Sequence, residues 1–249
     1  MSIELPVLQG MAPGTRKGRS VYEGYQRGWG LQFGGLADKV RADPLYREAL
    51  RCCRDRTIMS EANRMNLFLL MTCFVGRLPP GHVVEYGSYR GGSALFLAFL
   101  AKRLHPGMTV FALDSFEGMP ETDKAVDAHN KGDFADADLP GLMRRIADTG
   151  LDNLIPVKGR FEDTNAGVMA RAGRVALAHV DCDIAPAVRC AYEGVMPHMV
   201  PGGYVVFDDA TVSSCIGATE VVEEVVIRRD GLSSEQIWPH FVFRAPGRA

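Results

Sequence analysis

The fold is decided by one stretch, Val83-Val84-Glu85-Tyr86-Gly87-Ser88-Tyr89-Arg90-Gly91-Gly92-Ser93, which predicts a buried strand, a glycine turn and the start of a helix. After it, apolar strand candidates alternate with helix candidates long enough to cross a sheet. The strand candidates are 82–86, 109–114, 154–158, 174–181 and 203–208, and the helix candidates are 92–103, 139–148, 164–171, 186–196 and 216–228. The sequence therefore predicts an α/β fold, a parallel sheet with helices on both faces, closed by a hairpin within 236–243.

Composition narrows the class of protein. The chain has 249 residues, 47% of them hydrophobic, and a formal net charge of -2. The slightly negative net charge argues against a broad basic face that would bind nucleic acid and favours small-molecule partners. The longest apolar run, 65–75, is too short to span a membrane, and no targeting signal is visible. Six cysteines without a CxxC pair indicate reduced thiols in a cytoplasmic protein and argue against a zinc site.

The chain is expected to divide at about residue 55. Residues 1–55 predict an N-terminal arm or lid followed by a helix, because glycines and aromatic residues are frequent before residue 35. Residues 56–249 predict the main domain, with a long loop insertion at about 119–138. An arm of this composition can cover a neighbour's active site, so we expect a homo-oligomer.

The glycine turn indicates which cofactor is bound. A dinucleotide fingerprint aligned on Gly87 needs glycine at position 89, where this chain has Tyr89. Glu85 and Gly87 instead suit a ligand with a cationic amino acid end, such as S-adenosylmethionine. Asp114, at the end of the second strand, is expected to accept hydrogen bonds from ribose hydroxyls. The alternative for Asp114 alone is a simple turn or helix cap.

Four aspartates follow two apolar strands: Asp181 and Asp183 end 174–181, and Asp208 and Asp209 end 203–208. The carboxyl ends of neighbouring parallel strands share one edge of the sheet, so these carboxylates are expected to converge. Their mutual repulsion requires a cation, and all-oxygen ligands suit Mg²⁺. A nearby carboxylate then accepts a hydroxyl proton. The alternatives are that the aspartates are surface caps, and that His179, otherwise a packed core residue, is the base.

These motifs resemble the macrocin O-methyltransferase (TylF-type) family. The resemblance runs from about residue 55 to 228 and is carried by Thr57-Ile58-Met59-Ser60, the 85–93 turn, Leu113-Asp114-Ser115-Phe116-Glu117-Gly118-Met119-Pro120, Gly159-Arg160-Phe161-Glu162-Asp163-Thr164, His179-Val180-Asp181-Cys182-Asp183 and Pro201-Gly202-Gly203-Tyr204-Val205-Val206-Phe207-Asp208-Asp209. The resemblance implies a class I S-adenosylmethionine methyltransferase (Rossmann-like) fold with a mixed seven-stranded sheet. It implies that Asp181, Asp208 and Asp209 hold Mg²⁺ and that Asp183, beside Asp181, is the general base. It also implies a set of cofactor contacts: Thr57, Met59, Glu85, Gly87, Ser88, Ser93, Asp114, Ser115 and Glu162.

The chain departs from the family pattern beside the proposed metal. Cys182 stands where glycine is frequent, and Ala210 stands where tyrosine often follows the paired aspartates. These departures predict a differently shaped acceptor. The expected function is methyl transfer to a hydroxyl of a sugar or glycosylated natural product. The alternatives are a catechol-type O-methyltransferase and a non-catalytic S-adenosylmethionine-binding protein, while Tyr89 disfavours an NAD-linked reductase.

Overall fold

The computed structural model describes residues 15–16, 19–20, 25–32 and 35–247. The main sheet has six strands in the order β5-β4-β3-β6-β7-β8, and two short strands, β1 and β2, pair separately. The strands are β1 Thr15–Arg16, β2 Arg19–Ser20, β3 His82–Tyr86, β4 Val110–Asp114, β5 Leu154–Lys158, β6 Val175–Val180, β7 Met199–Phe207 and β8 Phe241–Arg244. The first five strands of the main sheet run parallel, and β8 is antiparallel to β7.

The predicted α/β fold and mixed sheet are confirmed, but the expected count of seven strands is one too many among the described residues. The segment before β8 makes only an isolated bridge, between Gln236 and Val242. Pro239 follows it closely and has no backbone N–H to donate, and Ser234 Oγ accepts the Gln236 N–H at 3.2 Å. The predicted closing hairpin is therefore reduced to β8 and this single bridge.

Helices cover both faces of the main sheet. The described helices are α1 Tyr25–Gln32, α2 Leu36–Ala42, α3 Pro44–Cys52, α4 Glu61–Leu69, α5 Gly92–Leu104, α6 Leu139–Thr149, α7 Phe161–Ala172, α8 Ala185–Val195 and α9 Ile216–Val221; π-helical turns extend α4 through Leu70–Phe74 and α9 through Val222–Arg229. Side chains alternate along each strand, so Val83 packs with α3, α4 and α5 while Val84 packs with α7, α8 and α9. None of the helices in the described ranges is long and apolar enough to cross a membrane.

Most of the predicted N-terminal arm, residues 1–35, lies outside the described residues. The helix predicted at the end of residues 1–55 is observed as α3, where Asp43 accepts the Leu45 N–H at 2.8 Å and Pro44 occupies the first turn. Its Tyr46 ring packs edge-on against Phe68 and Phe96, at 5.3 and 5.9 Å between centroids. The helical part of the N-terminal region thus shares the core of the main sheet.

The order of the strands places a cleft between β3 and β6. From β3 the chain builds outward through β4 and β5, and then returns to the other side of β3 to form β6. Ligands of open α/β sheets bind at such a reversal, beyond the carboxyl ends of the strands. Gly87 follows β3 at this point with φ +86°, and a Cβ added there would lie 1.7 Å from the Asp181 carbonyl oxygen. Only glycine allows the two chain segments to approach so closely.

We expect Gly87→Ala to destabilise the protein far more than Gly107→Ala. Both glycines have φ +86°, but nothing lies within 4 Å of a Cβ at Gly107. The backbone penalty of a positive φ, roughly 1 kcal/mol, is therefore common to both variants. The clash with Asp181 adds to it only at Gly87, and we expect a further loss of about 2 kcal/mol or more in the free energy of unfolding. Urea denaturation of the two variants measures the difference, and equal losses would contradict the close approach.

Candidate active site

A cavity of about 590 Å³ opens at the carboxyl edge of the sheet, within the range of roughly 300–1,000 Å³ typical of small-molecule sites. Its wall is formed by the residues that follow β3, β4, β5, β6 and β7, by Ile58 and Met59 before α4, and by part of the 119–138 loop. Nine of the residues predicted from the sequence lie on this wall: Met59, Gly87, Asp114, Ser115, Glu162, Asp181, Asp183, Asp208 and Asp209. The structure therefore brings the predicted cofactor loop and the aspartates into one cavity.

Four predicted cofactor residues, Thr57, Glu85, Ser88 and Ser93, do not line this cavity. Glu85 is fully buried, and its two oxygens contact Ser88 Oγ at 3.0 Å and His179 Nδ1 at 3.1 Å. Glu85 and His179 are register partners on β3 and β6, so their side chains share one face of the sheet. Glu85 thus supports the floor of the cavity from beneath its surface.

Asp114 joins the turns that follow β3 and β4. Its two oxygens accept the backbone N–H groups of Tyr89 at 2.7 Å and Phe116 at 2.6 Å. Burial raises the pKa of the Asp114 carboxyl, and these two hydrogen bonds partly offset the effect. The turn-capping interpretation of Asp114 therefore holds. Each oxygen retains a second lone pair, so the exposed side can still accept from a ligand hydroxyl.

Asp181, Asp208 and Asp209 form an acidic cluster in which one carboxylate oxygen from each lies within 4.8 Å of the other two. The cluster forms because β6 and β7 are parallel neighbours that end together. Burial, then repulsion from Asp208 and Asp209, raises the pKa of Asp181 well above its usual value. The pKa of Asp209 is also raised well above its usual value, first by burial and then by repulsion from Asp183 and Asp208. Three carboxylates in this arrangement, two of them buried and Asp181 half-buried, disfavour being charged together unless a cation is present.

Asp208 is held by a buried network of polar side chains. Its Oδ1 accepts from Asn63 Nδ2 at 2.9 Å and lies 2.7 Å from His240 Nε2 and 3.5 Å from His179 Nε2. Burial raises the pKa of Asp208, but the hydrogen bonds of the two histidines outweigh it and hold that pKa well below the usual range. Burial lowers the pKa of His179, and its contacts with Asp208 and Glu85 outweigh it, raising the pKa to about 9. Asp208 is therefore ionised.

Asp183 sits at the edge of this cluster with an unusual backbone. Its φ is +59°, a left-handed conformation that Asp and Asn tolerate better than other residues with a Cβ. Its N–H donates to Asp209 Oδ2 at 2.8 Å, which fixes the carboxylate beside the acidic cluster. Asp183 Oδ1 lies 3.3 Å from His129 Nε2. His179, the alternative base, is fully buried and does not line the cavity.

The predicted loop insertion at 119–138 forms one side of the cavity. The loop closes on itself through Gly132 N to Met119 O at 2.9 Å and Met119 N to Asp133 O at 2.8 Å. The Phe134 ring lies edge-on to Tyr89, at 5.3 Å between centroids, so the loop packs on the turn after β3. Met119, Pro120, Glu121 and Phe134 line the cavity. The loop is thus part of the cavity wall.

Sequence reasoning did not identify Asn63, His129, Cys215 and His240 as site residues. Asn63 and His240 reach Asp208 from positions 145 and 32 residues away. His129 and Cys215 reach Asp183 from two loops. None of the four belongs to a motif or ends a predicted strand, so only the position of His129 in an Asp-rich loop offered any signal.

Comparison with known proteins identifies the fold and the family. The O-methyltransferase NovP superposes with a TM-score of 0.65 at 22% identity, over 85% of this chain and 95% of that one. The sheet order, with a cofactor cavity at the β3/β6 reversal, defines a class I S-adenosylmethionine methyltransferase fold. The family model described as macrocin O-methyltransferase (TylF) matches residues 57–226. The chain belongs to the macrocin O-methyltransferase family, as the sequence motifs predicted.

Two curated relatives are O-methyltransferases by name. The 8-demethyl-8-(2,3-dimethoxy-alpha-L-rhamnosyl)-tetracenomycin-C 4'-O-methyltransferase of Streptomyces olivaceus is 34% identical over 146 residues, 55% of this chain and 55% of the relative. The mycinamicin III 3''-O-methyltransferase of Micromonospora griseorubida is 30% identical over 168 residues, 63% of this chain and 64% of the relative. The matched region thus spans between half and two thirds of the length of each relative.

Proposed function

We propose that the chain is a Mg²⁺-dependent S-adenosylmethionine O-methyltransferase that acts on a hydroxyl of a sugar or a glycosylated natural product. The observation that carries this proposal is the shared cavity, in which the glycine turn after β3 faces the acidic cluster after β6 and β7. Such an arrangement holds a methyl donor and a hydroxyl acceptor within one volume. Membership of an O-methyltransferase family supports the same chemistry.

The donor set of the acidic cluster fits Mg²⁺. The three ligands we propose, Asp181, Asp208 and Asp209, offer only carboxylate oxygens, which hard divalent cations prefer. The raised pKa values of Asp181 and Asp209 show that their charged forms are costly in isolation, and a divalent cation would remove this cost. The contacts of Asp208 with Asn63 and His240 orient its carboxylate as supporting partners of metal ligands do.

The cofactor side of the cavity is proposed to bind S-adenosylmethionine through the wall residues Met59, Gly87, Asp114, Ser115 and Glu162. Gly87 lets the turn pack directly on the Asp181 carbonyl, because a Cβ at this position would lie 1.7 Å from that oxygen. Asp114 accepts the ribose hydroxyls through its exposed lone pairs. The four predicted contacts that lie off the wall, Thr57, Glu85, Ser88 and Ser93, are proposed to support the turn beneath the cofactor; Glu85 does so through Ser88.

The residues of the acceptor side then have distinct roles. Bound Mg²⁺ supplies Lewis acidity that lowers the pKa of the acceptor hydroxyl. Asp183 accepts the proton from that hydroxyl oxygen, which attacks the sulfonium methyl in line with the departing sulfur. The bond between Asp183 N–H and Asp209 keeps the base a fixed distance from the cluster. The cavity wall positions the two reactants, which supplies a large part of the rate.

The acceptor class is inferred from the relatives. The names of both curated relatives place the methylation at a primed position, and the first relative is named for a rhamnosyl-bearing compound. In this chain, Cys182 and Ala210 replace the glycine and tyrosine of the family pattern, and Cys182 lies on the cavity wall. The acceptor pocket therefore differs in shape from the common family pattern while the aspartates are retained.

An acceptor panel tests the proposal. With S-adenosylmethionine and Mg²⁺ supplied, we expect mass spectrometry to detect a methylated product from glycosylated polyketides or deoxysugar nucleotides, and none from catechols. Calorimetry with S-adenosylhomocysteine, performed on the same preparation, is expected to show binding. Product from catechols alone would overturn the sugar assignment. Cofactor binding without product from any acceptor would favour a non-catalytic binding protein.

Two further predictions from the sequence accompany this proposal. We propose that the protein acts in the cytoplasm, which its six free cysteines support.

We also propose that it is a homo-oligomer whose N-terminal arm contributes to assembly. Size-exclusion chromatography of the full chain and of a variant that begins at residue 35 distinguishes an oligomer that needs the arm from one that does not.

A further inference from the structure

A second cluster of potential metal ligands lies beside the acidic cluster and differs from it chemically. It consists of one nitrogen, one oxygen and one sulfur: His129 Nε2, Asp183 Oδ1 and Cys215 Sγ. Nε2 lies 3.3 Å from Oδ1, and Sγ lies 3.6 Å from each of the other two atoms. The same three atoms make all three contacts, so they form a nearly equilateral triangle.

This triangle matches the face of a tetrahedral zinc site. Zinc bonds of about 2.3 Å to sulfur and about 2.0–2.2 Å to nitrogen and oxygen, at tetrahedral angles, place N and O about 3.4 Å apart and S about 3.6 Å from both. By contrast, the 2.7 Å between His240 Nε2 and Asp208 Oδ1 is an ordinary hydrogen-bond distance. The spacing of the His129, Asp183 and Cys215 atoms is therefore compatible with ligands around an ion.

The surroundings of His129 also suit a metal ligand. Its other ring nitrogen, Nδ1, lies 3.6 Å from Asp133 Oδ2. A carboxylate beside the second ring nitrogen is common among zinc-binding histidines. The hydrogen bond with Asp183, opposed by burial, raises the pKa of His129, so zinc binding would displace a proton from this ring.

Cys215 is poorly satisfied without an ion. Burial raises the pKa of its thiol to about 12, so the group is neutral and makes only weak contacts at 3.6 Å. A coordinating metal replaces the thiol proton and gives the sulfur a full bond. Cys215 is buried, which protects a thiolate–metal bond from water.

The backbone holds these three residues in place. The His129 loop is joined to the Cys215 segment by Ala128 N to Ser214 O at 3.3 Å and by Gly217 N to Val126 O at 3.0 Å. Asp183 is fixed by its hydrogen bond to Asp209 at 2.8 Å. The three ligands come from segments widely separated in the sequence, which is why cysteine spacing argued against zinc.

We propose that His129, Asp183 and Cys215 form a binding site for Zn²⁺ or a similar transition-metal ion, distinct from the all-oxygen site, and that its occupation inhibits methyl transfer. Binding releases the thiol and imidazolium protons to solvent and engages the Asp183 carboxylate. The inhibitory part rests on the proposed role of Asp183 as the base, because a carboxylate bound to zinc accepts no proton. The site also joins the 119–138 loop to the strand tip after β6.

Cobalt spectroscopy tests the site independently of activity. With Mg²⁺ saturating, Co²⁺ added to the full chain is expected to give a near-ultraviolet sulfur-to-cobalt charge-transfer band, which the all-oxygen cluster cannot produce. The band is expected to disappear in Cys215→Ser and to persist in the matched control Cys190→Ser, a half-buried thiol elsewhere. Cys182→Ser, beside the acidic cluster, is expected to keep it. Absence of the band, or its loss only in Cys182→Ser, would overturn the site.

The inhibitory role has its own measurement. With Mg²⁺ saturating, Zn²⁺ is expected to reduce turnover roughly 100-fold, the contribution of a general base. Cys215→Ser and His129→Gln, each compared with its own zinc-free turnover, should need at least about tenfold more Zn²⁺ for half inhibition because each removes one of three ligands. Equal inhibition of all three proteins would refute regulation through this site. A cobalt band in a protein without methyl transfer would instead refute the proposed function and leave the site standing.

Discussion

Replacing Asp181 by Asn is expected to abolish the response to Mg²⁺ and to reduce turnover by roughly 10³-fold, equivalent to about 4 kcal/mol of transition-state stabilisation. Asp181 contributes a carboxylate to the centre of the acidic cluster, and its pKa is raised by burial and by Asp208 and Asp209. Asn keeps the shape of the side chain but removes the charge. The variant should therefore bind Mg²⁺ weakly while it keeps its affinity for S-adenosylhomocysteine.

Thermal unfolding provides a second signature of the same substitution. In the absence of divalent metal, Asp181→Asn should raise Tm because it removes a buried charge that is repelled by its neighbours. Mg²⁺ should raise Tm of the unmodified protein and leave that of the variant almost unchanged. The control is Asp148→Asn, an exposed carboxylate on α6, which should respond to Mg²⁺ as the unmodified protein does. A Mg²⁺ response retained in Asp181→Asn would refute the proposed metal ligand.

Replacing Asp183 by Asn is expected to lower kcat about 10²- to 10⁴-fold, the usual contribution of a general base, with little change in cofactor or Mg²⁺ binding. Asn tolerates the φ of +59° as Asp does, and its backbone N–H can still donate to Asp209. The substitution therefore removes the proton acceptor without moving the chain. Alanine is a poorer choice because it does not favour this backbone conformation.

The kinetics separate the roles of Asp183 and Asp181. Single-turnover kinetics should show that the chemical step is slowed in Asp183→Asn. Calorimetry with Mg²⁺ should show that metal binding is lost in Asp181→Asn. The double variant should be only slightly slower than the slower single variant, because the two groups serve the same step. A kcat for Asp183→Asn within about threefold of the unmodified protein would show that another group accepts the proton.

The acidic cluster was predictable because it depends on short-range rules. Asp181 and Asp208 each follow an apolar strand, and neighbouring parallel strands end at one edge of the sheet. The same rule located Gly87 and Asp114. These residues lie on the cavity wall as expected.

The supporting residues were not predictable because they depend on tertiary packing. His240 reaches Asp208 only because β8 pairs antiparallel with β7, and Asn63 reaches it only because α4 packs across the sheet. Glu85 lies one residue before the end of β3, close to where a ligand-binding residue is expected, but its side chain points to His179 on the paired strand. The direction of a terminal side chain follows the pleat and register of the sheet, which a single sequence does not reveal.

The contact between Gly87 and Asp181 has a consequence for how this enzyme family diversifies. The turn proposed to carry the methyl donor touches the carbonyl of a proposed metal ligand, with no room even for a methyl group between them. Exchanging either segment alone with that of a relative would shift the other. We therefore expect acceptor preference to change most easily through substitutions in the 119–138 loop. The turn after β3 and the end of β6 should be exchanged together.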